Sequence, residues 1–330
     1  MKLDNKQINK VIKIFFIFLE KISNFFFTYH NRPKYVDGLN VYTLEKTKIS
    51  QEVAIIVQGP IVKESDFTVE TLRIYKKIFP GVKIILSTWD DEDQTFINKV
   101  RALDIEVIMN KKPNFGGLSN INFQIVSSSK GIFRAKELGF KFALKTRTDQ
   151  RIYSGNTLSL CHSMLMQYPL SGDFQQNRRI ISFNLNTFKY RLYGISDMLN
   201  FGEINDLCLY WSPDLDYRKS EDLADPRNLY DFSKQRYAEV YFVTSFLDRI
   251  GREIKWTLGD SWDVMARNFC ILNVSEIDLF WNKYTKKEFR HQNYNSLLKE
   301  QFEFSDWIIH QARETTQAPE DIIFKEFKDL

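Results

Sequence analysis

Phe140–Ile152 reads FKFALKTRTDQRI, an apolar run that gives way to a polar one. Its first half, with Phe140, Phe142, Ala143 and Leu144, is apolar. Its second half, Lys145, Thr146, Arg147, Thr148, Asp149, Gln150 and Arg151, turns abruptly polar. A short apolar run bounded by turn signals reads as a buried strand. Charges at one end of a buried strand need a partner or a cleft, and in open α/β sheets that cleft lies at the carboxyl ends of the strands. The stretch is therefore expected to be a central strand delivering Arg147, Thr148 and Asp149 into a ligand site. The plainer alternative is a strand that ends in a solvated turn. In strand alternation Lys145, Arg147 and Asp149 share one face, and Thr146 and Thr148 the other.

The residues upstream build the rest of a sheet. Val53–Val57 (VAIIV) is a continuous apolar run, as in a parallel strand covered on both faces, and it ends in the turn Gln58-Gly59-Pro60. Ser65 or Asp66 is placed to cap a helix that carries Val69, Leu72 and Phe79 and stops at Pro80-Gly81. Val82–Leu86 reads as a second strand ending in Ser87-Thr88-Trp89-Asp90, Asp91–Leu103 as a helix, and Ile105–Met109 as a third strand. A loop, Lys111–Asn120, leads to a helix over Asn122–Gly139, with Gly131 a weak point inside it and Gly139 its stop. Strand alternating with helix up to Phe140–Lys145 predicts a parallel sheet with right-handed crossovers. All four strands then end in polar or turn residues at one edge.

Beyond Ile152 the pattern loosens. Leu158–Gln167 is a candidate helix, Ile180–Leu185 a strand, and Tyr190–Gly202 a strand or turn carrying Asp197. Leu207–Tyr230 is loop-rich and charged, with Pro213 and Pro226, and reads as a flexible flap. Tyr237–Arg249 and Ser261–Leu272 read as helices, and the polar tail after Thr285 carries Trp307, Ile308 and Ile309 as a docking patch.

Bulk properties narrow the classes of function. The 330 residues are 43% hydrophobic, 27% charged and 15% aromatic, which supports a substantial core. A net charge of +4 is too mild to argue for nucleic acid and suits an anionic small ligand or a membrane surface. Cys161, Cys208 and Cys270 are scattered and odd in number, with neither a disulfide framework nor zinc spacing, which suits a reducing cytosol. His30, His162, His291 and His310 show no ligand spacing, although His310 lies near Trp307.

The stretch Asn9–Phe27 (NKVIKIFFIFLEKISNFFF) is too short in its apolar run to span a bilayer, which needs about 20 apolar residues. No small-residue cleavage site follows it, so a signal peptide is not expected. It reads either as an amphipathic helix lying in the membrane interface, with Lys2, Lys6, Lys10, Lys13 and Lys21 toward anionic headgroups, or as a helix packed on the domain. A loop with Arg32-Pro33 follows.

The segments IIVQGPI, TLRIYKKIFPGVKIILSTW, NINFQIVSSSKGIFRAKELG and KTRTDQRI, in that order, resemble the WavE family of lipopolysaccharide-synthesis proteins. The likeness is clear over Val53–Ile152 and continues through ISDMLNFGE (Ile195–Glu203) to AEVYF (Ala238–Phe242). It implies a glycosyltransferase that moves a sugar from a nucleotide-sugar donor to a lipid-linked surface-glycan acceptor, in the cytoplasm on the inner face of the cytoplasmic membrane. The strand order also resembles the GT-A fold, a mixed, mainly parallel α/β sheet flanked by helices. By its residue pattern 1–50 is an amphipathic helix and linker, and on that resemblance 51–285 is the GT-A-like domain. Within the domain 51–152 forms a nucleotide half and 153–285 an acceptor half; 286–330 is a helical tail.

The resemblance also assigns residues. A GT-A helix of the form Gly-x-x-x-Ala precedes a strand ending in Asp-x-Asp; here Gly131 and Ala135 precede Arg147-Thr148-Asp149. With Arg147 in place of the first carboxylate, two arrangements remain open. Asp149 and phosphate oxygens could hold Mg²⁺ or Mn²⁺, or Arg147, with Lys145 or Arg151, could neutralise the diphosphate directly. A salt bridge from Arg147 to Asp149 is the purely structural alternative. Gln58, Gly59 and Pro60 would line the base or ribose pocket, unless they only make a tight turn. Asp90 would accept from ribose or base, unless Asp90 to Asp93 only dress a helix N-terminus. Glu239 is the candidate base for the acceptor hydroxyl, against simple helix N-terminal charge, and Asp197 a second base or hydroxyl ligand, against a turn cap. Two other functions fit the same sheet: a non-catalytic glycan-assembly scaffold and a sugar-phosphate transferase.

Overall fold

The computed structural model describes residues 5–27, 30–39, 48–170, 172, 175–283, 297–313 and 318–329. Lys2, Thr285 and His291, named above, lie outside them. In chain order come α1 (Asn5–Ile22), β1 (Val53–Gln58), α2 (Phe67–Ile78), β2 (Lys83–Trp89), α3 (Gln94–Arg101), β3 (Glu106–Asn110), α4 (Ile121–Glu137) and β4 (Phe142–Arg147). The second part adds β5 (Gln150–Ile152), α5 (Thr157–Gln167), β6 (Ile180–Phe183), β7 (Asn200–Glu203), α6 (Ile204–Tyr210), α7 (Leu229–Lys234), α8 (Ala238–Arg249), α9 (Leu258–Arg267), β8 (Phe269–Leu272), β9 (Leu279–Trp281) and α10 (Phe304–Gln311).

Seven strands form one sheet in the order β3-β2-β1-β4-β7-β6-β8. The first four are mutually parallel, β7 runs against β4 and β6, and β8 is parallel to β6. This is the expected mixed, mainly parallel α/β sheet, with β4 at its centre, and every residue of its neighbour β1 is buried. A strand covered on both faces has no polar positions to alternate, which is why VAIIV is continuously apolar. The register sets Gln58 beside both Ser87 and Arg147, so the tips of β1, β2 and β4 are level.

Packing on the α4 face explains Gly131. A Cβ there would stand 2.5 Å from Ile56 Cγ2 and 3.3 Å from Ser87 Cβ. The glycine is the point where α4 lies closest to β1 and β2, not a weakness in the helix. On the opposite face Tyr75 of α2 accepts a hydrogen bond from the Ile152 amide at 3.1 Å.

Three further expectations are corrected. Neither Ser65 nor Asp66 caps α2; both have left-handed backbone (φ 54° and 52°), and the Asp66 carboxylate pairs instead with Lys99 at 3.0 Å. The supposed flap begins as core: α6 buries Leu207, Cys208 and Tyr210, Trp211 follows, and Asp216 is buried with its backbone N–H donating to Asn122 Oδ1 at 2.7 Å. Aromatic rings of this size dominate the local energetics and hold the segment down. The helix drawn over Ser261–Leu272 ends at Arg267, because Phe269–Leu272 is needed as the edge strand β8, buried throughout. In the tail Trp307 is buried, its indole N–H donating to Met265 O and Phe269 O, while Ile309 stays exposed.

After β4 the chain turns at Thr148-Asp149 into β5, which pairs antiparallel with β9 and sets Gln150 opposite Trp281. Helix α1 is amphipathic as expected: Val11, Phe15, Phe18 and Ile22 recur at helical spacing and stand exposed. Among the described residues no helix is long and apolar enough to cross a membrane.

Candidate functional site

The sheet brings the predicted residues to one edge in two groups. At the tip of β1, Gln58 is buried and its Oε1 accepts from Ser127 Oγ of α4 at 2.7 Å. Gly59 has φ 115°, and a Cβ on it would stand 3.0 Å from Thr148 Oγ1. The Thr148 N–H donates to Gln58 O at 3.0 Å, so β1 and β4 are laced beyond their strands. Pro60 and Asp90 are exposed on the rim. The carboxylate that faces the β1 turn is Glu92, which accepts from the Ile61 N–H at 2.8 Å. The side chain of Asp91 pairs with Lys112 at 2.6 Å.

Arg147 and Asp149 meet each other. Arg147 Nε donates to Asp149 Oδ1 at 2.8 Å and its Nη2 to Oδ2 at 3.0 Å, and Trp281 Nε1 donates to Oδ2 at 2.9 Å. The Asp149 backbone oxygen accepts from Asn282 N–H at 2.9 Å. Burial alone would raise the Asp149 pKa, but the bonds and charge of Arg147 outweigh it and hold the carboxyl below its usual value. The salt-bridge alternative is therefore the observed one.

This donor set does not fit the Mg²⁺ or Mn²⁺ ion implied for Asp149. Both of its oxygens already accept from cationic or indole N–H groups. Among the described residues no three His, Cys, Asp or Glu side chains cluster as metal ligands. A hard divalent ion needs oxygen ligands in number.

The second group lies beyond Lys145. This lysine is fully buried, and its Nζ donates to Asp197 O at 2.7 Å and sits 4.0 Å from the Trp211 ring centroid. Burial pushes its pKa well below the usual value, with the Asp197 charge opposing. Asp197 is buried, and its charge adds to burial in raising the Glu239 carboxyl to about 7. Arg191 opposes that rise from 3.8 Å. Three buried atoms nearby, Asn200 Oδ1, Tyr210 Oη and Trp211 Nε1, have no hydrogen-bond partner among the described residues. Buried polar atoms of this kind ordinarily pair with an ordered water or a ligand. A carboxyl that ionises near neutrality, largely but not fully covered at the first turn of α8, can take a proton from a bound hydroxyl.

The sequence pattern described as WavE lipopolysaccharide synthesis matches residues 53–330. The chain belongs to the WavE family. The family match covers the site and everything after it, including α10. No curated protein sequence matches the WavE chain. Among solved structures it is similar to a cytidylyltransferase from Leptospira borgpetersenii serovar Hardjo-bovis (strain JB197). Identity is 11% over 57% of this chain and 74% of that one, with a TM-score of 0.32. It is also similar to a CMP:2-keto-3-deoxy-manno-octonic acid synthetase complexed with CTP, at 8% identity over 50% and 79%, TM-score 0.33. A glycosyltransferase involved in glycosylation of the major capsid of PBCV-1 matches at 13% over 48% and 65%, TM-score 0.25. None of these scores carries a substrate or a residue role across.

Sequence reading missed Glu92, Trp281 and Arg191. Glu92 was hidden among neighbouring acids. Trp281 lies 132 residues from the carboxylate it holds. For Arg191 the signal was its place among Phe188, Tyr190 and Gly194, in a stretch read only as strand or turn.

Proposed function

We propose that this WavE protein is a glycosyltransferase that moves a sugar from a nucleotide-sugar donor to a lipid-linked surface-glycan acceptor. The observation that carries the reading is Glu239, a carboxyl raised to about 7 beside buried Asp197, at the edge where the parallel strands end. In the transfer the bond from the sugar C1 to the diphosphate oxygen breaks, and a bond from C1 to the acceptor oxygen forms. The acceptor proton passes to Glu239, and the nucleoside diphosphate leaves. Asp197 keeps Glu239 basic enough to accept that proton near neutral pH. The nucleotide would lie over the tips of β1, β2 and β4, along Gln58-Gly59-Pro60 and toward Asp90. Arg147, fixed by Asp149, stands at that rim. The test is label transfer from a panel of sugar nucleotides to lipid-linked saccharides, by wild type and Glu239→Gln. Loss of transfer in the folded variant supports the base assignment, and full activity removes it.

One observation favours a second reading. Asp149, the carboxylate placed to serve the donor, is already bonded. A glycan-assembly scaffold would keep such a sheet without chemistry. Nucleotide-dependent stabilisation separates the two, since a ligand at 100 times its dissociation constant adds about 2.7 kcal/mol. Transfer of phosphate label instead of sugar label would identify a sugar-phosphate transferase.

Helix α1 supports a peripheral place on an anionic membrane at the cytoplasmic side. Its exposed stripe of Val11, Phe15, Phe18 and Ile22 is continued by exposed Phe25 and Phe26, and Lys6, Lys10, Lys13 and Lys21 are exposed beside it.

A further inference from the structure

Arg191 is largely but not wholly covered, and its guanidinium makes no hydrogen bond with a described residue. Its central carbon lies 4.5 Å from the Phe188 ring centroid and 5.0 Å from that of Phe232, so two rings from different elements grip it. Its stem crosses Gly194, where a Cβ would stand 2.6 Å from Arg191 Cδ. The loop is pinned by Leu192 N–H to Ser233 Oγ at 3.1 Å and Tyr193 N–H to Ser261 Oγ at 2.8 Å. Its charged neighbour is Glu239, at 3.8 Å, too far for a hydrogen bond.

Comparable arginines differ. Arg151 donates to Thr71 Oγ1, Phe67 O and Lys34 O. Arg218 bonds both oxygens of Asp216, and Arg252 bonds Asp260 and Asp263. A guanidinium drawn out of water without acceptors is costly unless a ligand supplies them. Here the side chain is still 21% exposed, so an incoming group can reach it. Arg147, the cation expected to meet the diphosphate, is neutralised by Asp149.

We propose that Arg191 is the phosphate-binding residue of the site: its guanidinium fork takes two oxygens of a substrate phosphoryl group while Glu239 stands beside it. The forked, planar donor set matches that geometry, and the aromatic grip fixes its direction before binding. The phosphoryl group is either the diphosphate of the nucleotide donor or the phosphate of a lipid-linked acceptor. The identity of that substrate rests on the transferase reading above; the anion site itself does not.

The test uses the full chain and inorganic pyrophosphate, with binding read by calorimetry and thermal stabilisation. Wild type is expected to bind saturably. Arg191→Gln should lose about tenfold to a hundredfold in affinity, and Arg191→Lys part of that. Glu239→Gln should bind pyrophosphate at least as tightly as wild type, because a competing charge is gone. Nucleoside diphosphates and a short-chain prenyl phosphate, added as competitors, identify the source. No saturable binding by wild type, wild-type affinity in Arg191→Gln, or failure of both competitors overturns the proposal. If Arg191→Gln does not fold, Arg191→Lys carries the comparison, and unchanged affinity there counts against it. Transfer assays judge the enzyme reading separately: pyrophosphate binding without transfer in any assay would sink that reading and leave Arg191 in place.

Discussion

Arg147 grips both carboxylate oxygens of Asp149, two residues further along, at 2.8 and 3.0 Å. The pair closes the tip of β4, and Trp281 of β9 completes it through Asp149 Oδ2. Asp149 is thus a positioning residue for Arg147. Asp149→Asn is expected to lower stability by about 1–3 kcal/mol, the cost of weakening charge-assisted bonds to a largely buried acceptor. Trp281→Phe should cost less, about 0.5–1.5 kcal/mol, for one neutral donor. Urea unfolding at neutral pH measures both. The Asp149 pKa is depressed in the folded chain, so its contribution is present above the ordinary carboxyl value of about 3.9. It is lost as pH falls below that, and the Asp149→Asn difference should shrink in the same window. A difference that persists undiminished into strong acid would contradict the pairing.

Glu239 has the opposite sign. Its carboxyl rises to about 7 in the folded chain, against about 4.3 unfolded. Between those values the folded state holds the extra proton, so this group's contribution to stability falls as pH rises through the window. Glu239→Gln should therefore be more stable than wild type at pH 8, by about 1–3 kcal/mol, and nearly equal at pH 4. The same variant should lose about 10²–10⁴-fold in transfer rate. A variant less stable at pH 8 would argue that Glu239 is held ionised.

The groups around Glu239 set the pH profile of transfer. Asp197 raises its pKa and Arg191 lowers it. The acidic limb of the rate profile should lie near pH 7, move down in Asp197→Asn and move up in Arg191→Gln. A limb that both variants leave in place would show that another group titrates.

The parallel half of the fold was legible because its inner strands are covered on both faces. Val53–Val57 and Phe142–Leu144 advertise that coverage as unbroken apolar runs. The short edge strand Phe269–Leu272 was not legible, since four apolar residues after a helix look like its last turn. The site was legible as an edge, through Gln58, Arg147 and Asp149, but not as a set of contacts. Whether Asp149 faces a ligand or Arg147 depends on Trp281, which arrives through a two-stranded pairing with no local sequence signal. Arg191 depends on Phe232 of α7, a helix inside the segment read as a flap and its margin.

Gly131 tests the seat of the site. Alanine is the better helix former, so an exposed position would gain stability on Gly131→Ala. At this position the new Cβ meets Ile56 Cγ2 at 2.5 Å, and α4 must move off β1. A net loss of about 1–3 kcal/mol is expected from overpacking. Because Ser127 on the same helix holds Gln58, the variant should also weaken nucleotide-dependent stabilisation. A stabilised protein with unchanged ligand response would show that α4 is not tightly seated.

Helix α1 makes the membrane prediction separable from the chemistry. Its exposed Phe15 and Phe18 lie on one stripe with Val11 and Ile22, and each ring inserted into the interface is worth about 1.5–3 kcal/mol. The exposed lysines add about 1 kcal/mol each near an anionic surface. Sedimentation with vesicles containing phosphatidylserine should pull down wild type, and the Phe15→Ser/Phe18→Ser variant should bind at least about a hundredfold more weakly. Raising salt from about 0.1 M to 1 M shortens the screening length from about 10 Å to 3 Å, so it should release part of the wild type but not restore the variant. Since α1 lies outside the sheet, pyrophosphate affinity in solution should be the same for both. Equal binding to uncharged vesicles would remove the electrostatic half of the assignment, and vesicle binding undiminished in the double variant would remove the helix from it.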